Sequence, residues 1–162
     1  MIRCRHGSPT SWRRTSCSQA CQDGEQSSSA RRIKIDTLGL GGAPLGGNFV
    51  DLSYNQAVEL VAAAKAAGIG YFDTAPWYGF GRSERVMGDL LRSSDYILSD
   101  KVGRLLRPGP VDNPASFGMV DPLPFHVVYD YGYDGIMRSF EDSLQRLGLN
   151  RIDILLAHDI GV

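Results

Sequence analysis

Three short segments of the chain place four polar residues of complementary chemistry beside apolar runs. The segments are GYFDTAPWYG, LSDKVG and DILLAHD, and the residues are Asp73, Tyr78, Lys101 and His158. Each residue lies at or just after the end of a strand-like stretch, which is where an α/β barrel carries its active site. A carboxylate, a phenol, an ammonium group and an imidazole together could assist hydride transfer to a carbonyl.

Reduction of a carbonyl needs a hydride donor beside the carbon and a proton donor at the oxygen. A tyrosine ordinarily has a pKa near ~10, so it is a weak acid at neutral pH unless a neighbouring cation favours its anion. Lys101 could supply that cation, and Asp73 could keep the ammonium group ionised and oriented. The pattern therefore indicates a proton-transfer site.

Each of these residues also has a structural interpretation. An aspartate at a strand end often caps a turn, and Tyr78 could pack at a rim. Lys101 after Asp100 could form a solvated ion pair of little energetic value. His158 could be a histidine whose hydrogen bonds are satisfied within its loop. Their joint occurrence, in order and each in its own segment, favours the catalytic interpretation.

From Ile33 onward the sequence alternates between strand-like and helix-like patterns. The predicted strands cover residues 37–42, 69–73, 96–99 and 152–157. A helix is predicted over residues 54–67, with Ser53 and Gln56 as a capping box and Gly68 as its left-handed end. This alternation predicts a parallel sheet, either doubly wound or closed into a barrel.

Two further helices and a long connection complete the pattern. Ser83 is predicted to cap a helix whose apolar residues 86, 87, 90 and 91 share one face. The last helix carries apolar residues at steps of four, four and three and ends at Gly148. Those residues are Ile136, Phe140, Leu144 and Leu147. Residues 102–132 hold five of the eight prolines and are predicted to form a long functional loop.

Two glycine-rich stretches fail the dinucleotide-binding fingerprint. In LGLGGAPLGG, Gly39 and Gly41 are followed by Pro44 where the third glycine belongs, and GFGRSE has Glu84 at that place. The sequence also contains no GK[ST], which excludes a P-loop. The glycines of residues 39–47 are therefore predicted to allow tight turns beneath a cofactor.

The segments FDTAPWYGFGRSERVMG and PFHVVYDYGYDGIMRSFEDSLQRLGLNRIDILLAHDIG resemble the aldo-keto reductases. Within that family they are most similar to the D-threo-aldose, L-fucose (galactose) and pyridoxal 4-dehydrogenases. The resemblance covers residues 33–162 and includes the complete Asp–Tyr–Lys–His tetrad of the family. It implies an α/β fold that is the N-terminal half of a (β/α)8 TIM barrel, about four βα units without the last helix.

The resemblance also implies a role for each site residue. Tyr78 would be the general acid for reduction and the base for oxidation, supported by Lys101 and Asp73. His158 would hydrogen-bond the substrate oxygen, and Trp77 is expected to stack on a sugar-like ring or to pack at the rim. NADP or NAD is the expected cofactor, with contacts from Gly42 and Asp73, and no metal is expected.

Residues 1–32 differ in composition from the rest of the chain. They carry six arginines against Asp23 and Glu25, for a net charge of +4, whereas residues 33–162 carry −5. They also hold all three cysteines, whose spacing fits no common zinc module. A disordered leader is predicted, with a transit peptide as the alternative. The predicted location is cytoplasmic, or organellar if the leader is a transit peptide.

Composition and length narrow the functions further. A net charge of −1 gives no reason to expect a nucleic-acid partner, and no apolar run approaches the ~18–20 residues of a membrane span. The leading expectation is an NAD(P)-dependent oxidoreductase that oxidises an aldose, or reduces a carbonyl. The alternatives are a general carbonyl reductase and a non-catalytic fragment or interaction module with the same fold.

The sequence ends at Val162, soon after His158, whereas a full barrel takes about 250 residues. We therefore expect the 162-residue chain to be inactive by itself. We also expect it to self-associate, because the outer strands of half a barrel are open edges.

Overall fold

The computed structural model describes residues 32–111 and 113–161. Residues 33–162 form one compact unit. The predictions for the leader and its cysteines concern residues that lie outside the described part, apart from Arg32. Among the described residues, no helix is long and apolar enough to cross a membrane.

The chain forms six strands and three α-helices over the described residues. The strands are β1 (Gly39–Gly41), β2 (Tyr71–Asp73), β3 (Ile97–Val102), β4 (Arg104–Pro108), β5 (Phe125–Tyr129) and β6 (Ile154–Ala157). The helices are α1 (Tyr54–Ala66), α2 (Arg82–Leu91) and α3 (Tyr133–Leu147). Short 3-10 helices cover Ala43–Gly46 and Pro114–Phe117.

Four of the strands form one parallel sheet in the order β1-β2-β3-β6, and a helix lies between each consecutive pair along the chain. Parallel neighbours need such crossover connections, since a short turn can join only antiparallel strands. The parallel α/β organisation predicted from the sequence is therefore confirmed. The site lies where the carboxyl ends of these strands meet.

A core of apolar side chains lies between the sheet and the helices. Its buried members are Leu45, Ala57, Val61, Phe72, Met87, Leu91, Tyr96, Leu98 and Leu147. Helices α2 and α3 pack so closely that a Cβ added at Gly88 would lie 1.8 Å from the Leu147 carbonyl oxygen. Only a glycine fits at that contact, so the two helices that flank β3 are held in a fixed position.

The helix ends follow the sequence signals with one exception. The Ser53/Gln56 capping box is present at the start of α1, and Gly148 ends α3 with a left-handed φ of 62°. The prediction that Ser83 caps α2 is wrong, because Gly81 occupies that position. The Ser83 hydroxyl is instead buried and donates a 2.7 Å hydrogen bond to the carbonyl of Gly42, which ties α2 to the turn after β1.

The segment predicted as a long loop contains an antiparallel hairpin. Strands β4 and β5 pair from Arg104 with Tyr129 to Pro108 with Phe125. Phe80, Leu106 and Met119 form a second small core between this hairpin and the turn after β2. The prolines lie at or beyond the strand ends, where a missing backbone N–H interrupts no central hydrogen bond.

Strand β3 is longer than the predicted strand over residues 96–99. Its pairing with β6 continues to Val102, opposite Ala157. Lys101 therefore lies inside the strand, and the neighbouring strand holds its backbone in place. A catalytic side chain on paired backbone is more accurately positioned than one on a loop.

Candidate active site

Strand register brings the first two site residues together. Asp73 at the end of β2 pairs with Ser99 of β3, two residues before Lys101. Because side chains alternate along a strand, Ser99 and Lys101 lie on one face while Asp100 points to the other. The side chains of Asp73, Ser99 and Lys101 consequently meet at the same edge of the sheet.

Lys101 and Asp73 form a short ion pair. The Lys101 Nζ lies 2.6 Å from Asp73 Oδ2 and also donates to the Thr74 carbonyl at 2.9 Å. The other carboxylate oxygen, Oδ1, accepts a 2.6 Å hydrogen bond from the Ser99 hydroxyl, which also bonds the Tyr71 hydroxyl at 2.9 Å. The carboxylate is thus fixed from both sides and holds the ammonium group in one position.

The backbone turn after β2 carries Tyr78 to this ion pair. Gly79 and Gly81 have φ values of 62° and 93°, a left-handed region that glycine enters without strain. The Lys101 ammonium lies 4.8 Å from the centre of the Tyr78 ring. Burial acts to lower the pKa of Lys101, but the interactions with Asp73 and Tyr78 outweigh it, so this pKa is raised. Lys101 is therefore charged at neutral pH.

His158 follows β6 and faces the same tyrosine. Its ring centre lies 6.2 Å from that of Tyr78, edge to face, and its backbone N–H bonds the Val102 carbonyl. The side chain is buried, and burial together with the positive charge of Arg104 lowers the pKa of His158 to about 4. The imidazole is therefore neutral at pH 7 and carries one N–H.

The position of that proton follows from the surroundings of the ring. The Nε2 atom of His158 faces Asp159 Oδ2 at 3.6 Å, whereas the buried Nδ1 has no hydrogen-bond partner among the described residues. A neutral imidazole places its N–H toward an acceptor. The proton therefore belongs on Nε2, the nitrogen on the side of the Asp159 carboxylate.

Trp77 lies beside the four predicted residues but is held by other aromatic rings. It packs edge to face against Phe80 at 5.3 Å and Phe117 at 5.2 Å between ring centres. It also lines an apolar pocket of about 250 Å³ beneath the hairpin. This packing supports the rim interpretation of Trp77, and contact with a substrate stays a prediction.

The turn after β1 shows which glycine borders open space. Gly42 is buried, its N–H donates to the Asp73 carbonyl at 2.7 Å, and its carbonyl accepts from Ser83. Gly41 is exposed, and an added Cβ there would meet no atom within 4 Å. Gly41 also pairs with Asp73, whose side chain is 26% exposed. The space over Gly41 is therefore open beside the partly exposed Asp73, and cofactor contacts from Gly42 and Asp73 stay predictions.

Two residues of the site were missed by sequence reasoning. Ser99 could have been found, because it lies two residues before Lys101 on the same face of an apolar strand. Arg104 could not, because its position depends on the hairpin; its guanidinium lies 4.8 Å from the Trp77 ring and bonds Asp159 at 2.6 Å. Within residues 32–111 and 113–161, no three His, Cys, Asp or Glu side chains are arranged to hold a metal ion.

The family model and the relatives that match this chain agree on one protein family. The sequence model of the Aldo/keto reductase family matches residues 37–162. Pyridoxal 4-dehydrogenase of Microbacterium luteolum is 47% identical over 140 residues, which are 80% of this chain and 41% of that protein. D-threo-aldose 1-dehydrogenase of a Pseudomonas species is 40% identical over 83% of this chain and 43% of its own length.

Solved structures show the same fold. The glycerol dehydrogenase of Gluconobacter oxydans is similar with a TM-score of 0.57 and 28% identity, over 76% of this chain and 37% of that one. An aldo-keto reductase of Klebsiella pneumoniae in complex with NADPH has a TM-score of 0.55 and 25% identity, over 76% and 35% of the two chains. The chain thus spans less than half the length of these relatives.

Proposed function

Because the chain belongs to the aldo/keto reductase family, we propose that it carries the proton-transfer half of a nicotinamide-dependent oxidoreductase site. The observation that carries this proposal is the contact of the Lys101 ammonium with both the Asp73 carboxylate, at 2.6 Å, and the Tyr78 ring, at 4.8 Å to its centre. A phenol beside a fixed cation is suited to exchange a proton with a substrate oxygen.

Tyr78 is the proton donor in the direction of reduction. As its hydroxyl gives up the proton to the substrate oxygen, the Lys101 ammonium stabilises the phenolate that remains. Asp73 keeps that ammonium from turning to solvent, since it binds Nζ while Ser99 binds the other carboxylate oxygen. In oxidation the phenolate accepts the proton of the substrate hydroxyl. NADP or NAD, when bound, supplies or accepts the hydride.

His158 orients the substrate without exchanging its proton. Its pKa, lowered by burial and Arg104 to about 4, leaves the ring neutral at pH 7, so it is a poor acid there. A neutral ring with its proton on Nε2 can donate a hydrogen bond to the substrate oxygen. That bond would fix the oxygen within reach of the Tyr78 hydroxyl and favour developing negative charge.

The names of the relatives support a proposal for the substrate class. Two of them are named for an aldose and for pyridoxal, and an L-galactose dehydrogenase of Arabidopsis thaliana is 32% identical over 79% of this chain. The substrates in these names are polar ring compounds, each with one reactive carbon–oxygen group. We therefore infer oxidation of an aldose hemiacetal to a lactone, or the reverse reduction.

An assay of a closed barrel that contains residues 33–162 tests this function. L-fucose, D-galactose and pyridoxal should each be oxidised with NAD⁺ or NADP⁺ faster than simple aldehydes are reduced. Turnover of simple aldehydes alone would instead indicate a general carbonyl reductase. No turnover and no nucleotide binding would indicate an interaction module with the same fold.

We expect the 162-residue chain by itself to bind neither nucleotide saturably. Strands β1 and β6 are the outer strands of the described sheet, and Leu155 and Leu156 of β6 are 43% and 42% exposed. Such an edge can pair with a second copy. Fluorescence titration with NADPH and NADH measures nucleotide binding, and an aldose assay measures turnover. Sedimentation measures whether the chain pairs with a second copy. Micromolar binding with turnover by a monomer would contradict it.

A further inference from the structure

Arg104 is a buried cation that the proposed proton transfer does not use. It follows Gly103, whose φ of 95° turns the chain sharply at the end of β3. Its guanidinium lies between two aromatic rings, 4.8 Å from the centre of Trp77 and 5.5 Å from that of Tyr129. With 8% of its surface exposed, the residue is fixed beside the site.

Arg104 and His158 approach the same carboxylate oxygen. The Nη2 atom of Arg104 donates to Asp159 Oδ2 at 2.6 Å, whereas His158 Nε2 lies 3.6 Å from that oxygen. The shorter contact belongs to a permanent cation, because a guanidinium does not lose its proton in proteins. Asp159 is thus paired with Arg104, and only weakly with the imidazole.

We propose that Arg104 is a positioning residue that occupies the Asp159 carboxylate and so leaves the Nε2–H of His158 free for a substrate oxygen. The proposal rests on the proposed function of His158. Without Arg104, Asp159 would be an unpaired carboxylate next to an imidazole, an arrangement that favours the imidazolium. The pKa of the ring would then rise and its Nε2–H would turn toward Asp159, so it would orient the substrate less well.

The other groups around His158 support this assignment. Burial and the charges of Arg104 and Lys101 lower its pKa, and the carboxylates of Asp159 and Asp73 raise it. Tyr78 meets the ring edge to face, and the Tyr131 hydroxyl donates to the backbone carbonyl of His158. Lys101 and Asp73 are bound to each other, and their charges shift the pKa of His158 in opposite directions. Arg104 and Asp159 are a second bound pair whose charges also act on this pKa in opposite directions.

NMR titration of the imidazoles in the 162-residue chain tests the proposal without any turnover. Arg104→Met should raise the pKa of His158 by at least about one unit, a tenfold change in the protonation equilibrium. Adding Asp159→Asn to that variant should reverse the rise. Arg107→Met, on the same strand but exposed, should leave the titration of His158 unchanged.

Two further variants separate charge from packing. Arg104→Lys keeps the positive charge but loses the guanidinium contacts with the Trp77 and Tyr129 rings, so the pKa of His158 should stay low. Asp159→Asn alone should not raise it. If Arg104→Met titrates like the parent chain, or if Arg104→Lys raises the pKa as much as Arg104→Met, the proposal is wrong. Should Arg104→Met lose its folded amide spectrum, Arg104→Gln removes the same charge and should raise the pKa of His158 in the same way, and no rise there would overturn the proposal. The proposed function is tested by different measurements, namely substrate turnover by the closed barrel and the effect of Tyr78→Phe on that turnover.

Discussion

Replacing Tyr78 by phenylalanine in a closed barrel that contains this segment should lower kcat by about 10²–10⁴-fold, the usual contribution of general acid–base catalysis. The change removes the hydroxyl and leaves the ring in the turn held by Gly79 and Gly81. Nothing in the open space over Gly41 is altered, so the Kd for NADPH or NADH should stay similar. Steady-state kinetics and nucleotide fluorescence measure the two quantities.

A matched control uses another tyrosine of the same chain. Tyr133 begins α3 and is 80% exposed, so Tyr133→Phe should leave both kcat and cofactor affinity close to those of the parent. Near-normal turnover by Tyr78→Phe would reassign the proton donor. A loss of cofactor affinity equal to the loss of rate would show that the ring, and not its proton, is the essential part.

The four site residues could be predicted because each depends on local sequence. Asp73, Lys101 and His158 each lie in or just after a short apolar strand, and parallel strands bring their carboxyl ends to one edge. Tyr78 follows the second of these strands by a glycine-rich turn. Their meeting in space therefore needed only the strand pattern and a parallel sheet, without knowledge of distant contacts.

The hairpin and the position of Arg104 could not be predicted, because both depend on contacts between segments that are distant in sequence. Strand β4 pairs with β5 across a proline-rich segment, and neither strand shows the clean alternation of apolar and polar residues. The surroundings of Arg104 come from three separate segments, which carry Trp77, Tyr129 and Asp159. Local sequence gave no signal that this arginine would be buried beside the imidazole.

Ser83 and Asp100 show that the burial of polar side chains was also not predictable from local sequence. Sequence reasoning predicted Ser83 as a helix cap and offered a solvated ion pair of Asp100 with Lys101 as an alternative interpretation, yet both side chains are fully buried. Burial of a polar side chain depends on partners that are distant in sequence. For Asp100 those partners are Glu84 of α2 and Arg146 of α3, so the layer behind β3 contains charged side chains.

We expect Arg146→Met to destabilise the 162-residue chain by about 3–5 kcal/mol, the usual cost of breaking a buried ion pair from one side. Arg146 donates to both carboxylate oxygens of Glu84, at 2.5 Å and 3.0 Å, and the Glu84 side chain is 0% exposed. Methionine keeps the aliphatic stem but leaves this carboxylate buried without a cation. Urea unfolding measures the loss.

The control is Arg138→Met, on the same helix but exposed, which should change the free energy of unfolding little. If both variants lose the same stability, helix propensity rather than the buried pair is responsible. If Arg146→Met is as stable as the parent chain, the buried ion pair contributes nothing to the free energy of unfolding.

Asp100→Asn should act in the opposite direction, because Asp100 is a second acid next to the same arginine. Burial and the charge of Glu84 raise the pKa of Asp100 well above its ordinary value. The folded chain therefore binds an extra proton, and stability falls as pH rises from about 3.9 toward the folded pKa. Asparagine resembles the protonated acid and can still accept the 2.7 Å bond from the Lys101 N–H through Oδ1. The gain in unfolding free energy over the parent should therefore grow as pH rises above about 4, whereas a difference that does not change with pH would show that the pKa of Asp100 is the same in the folded and unfolded chain.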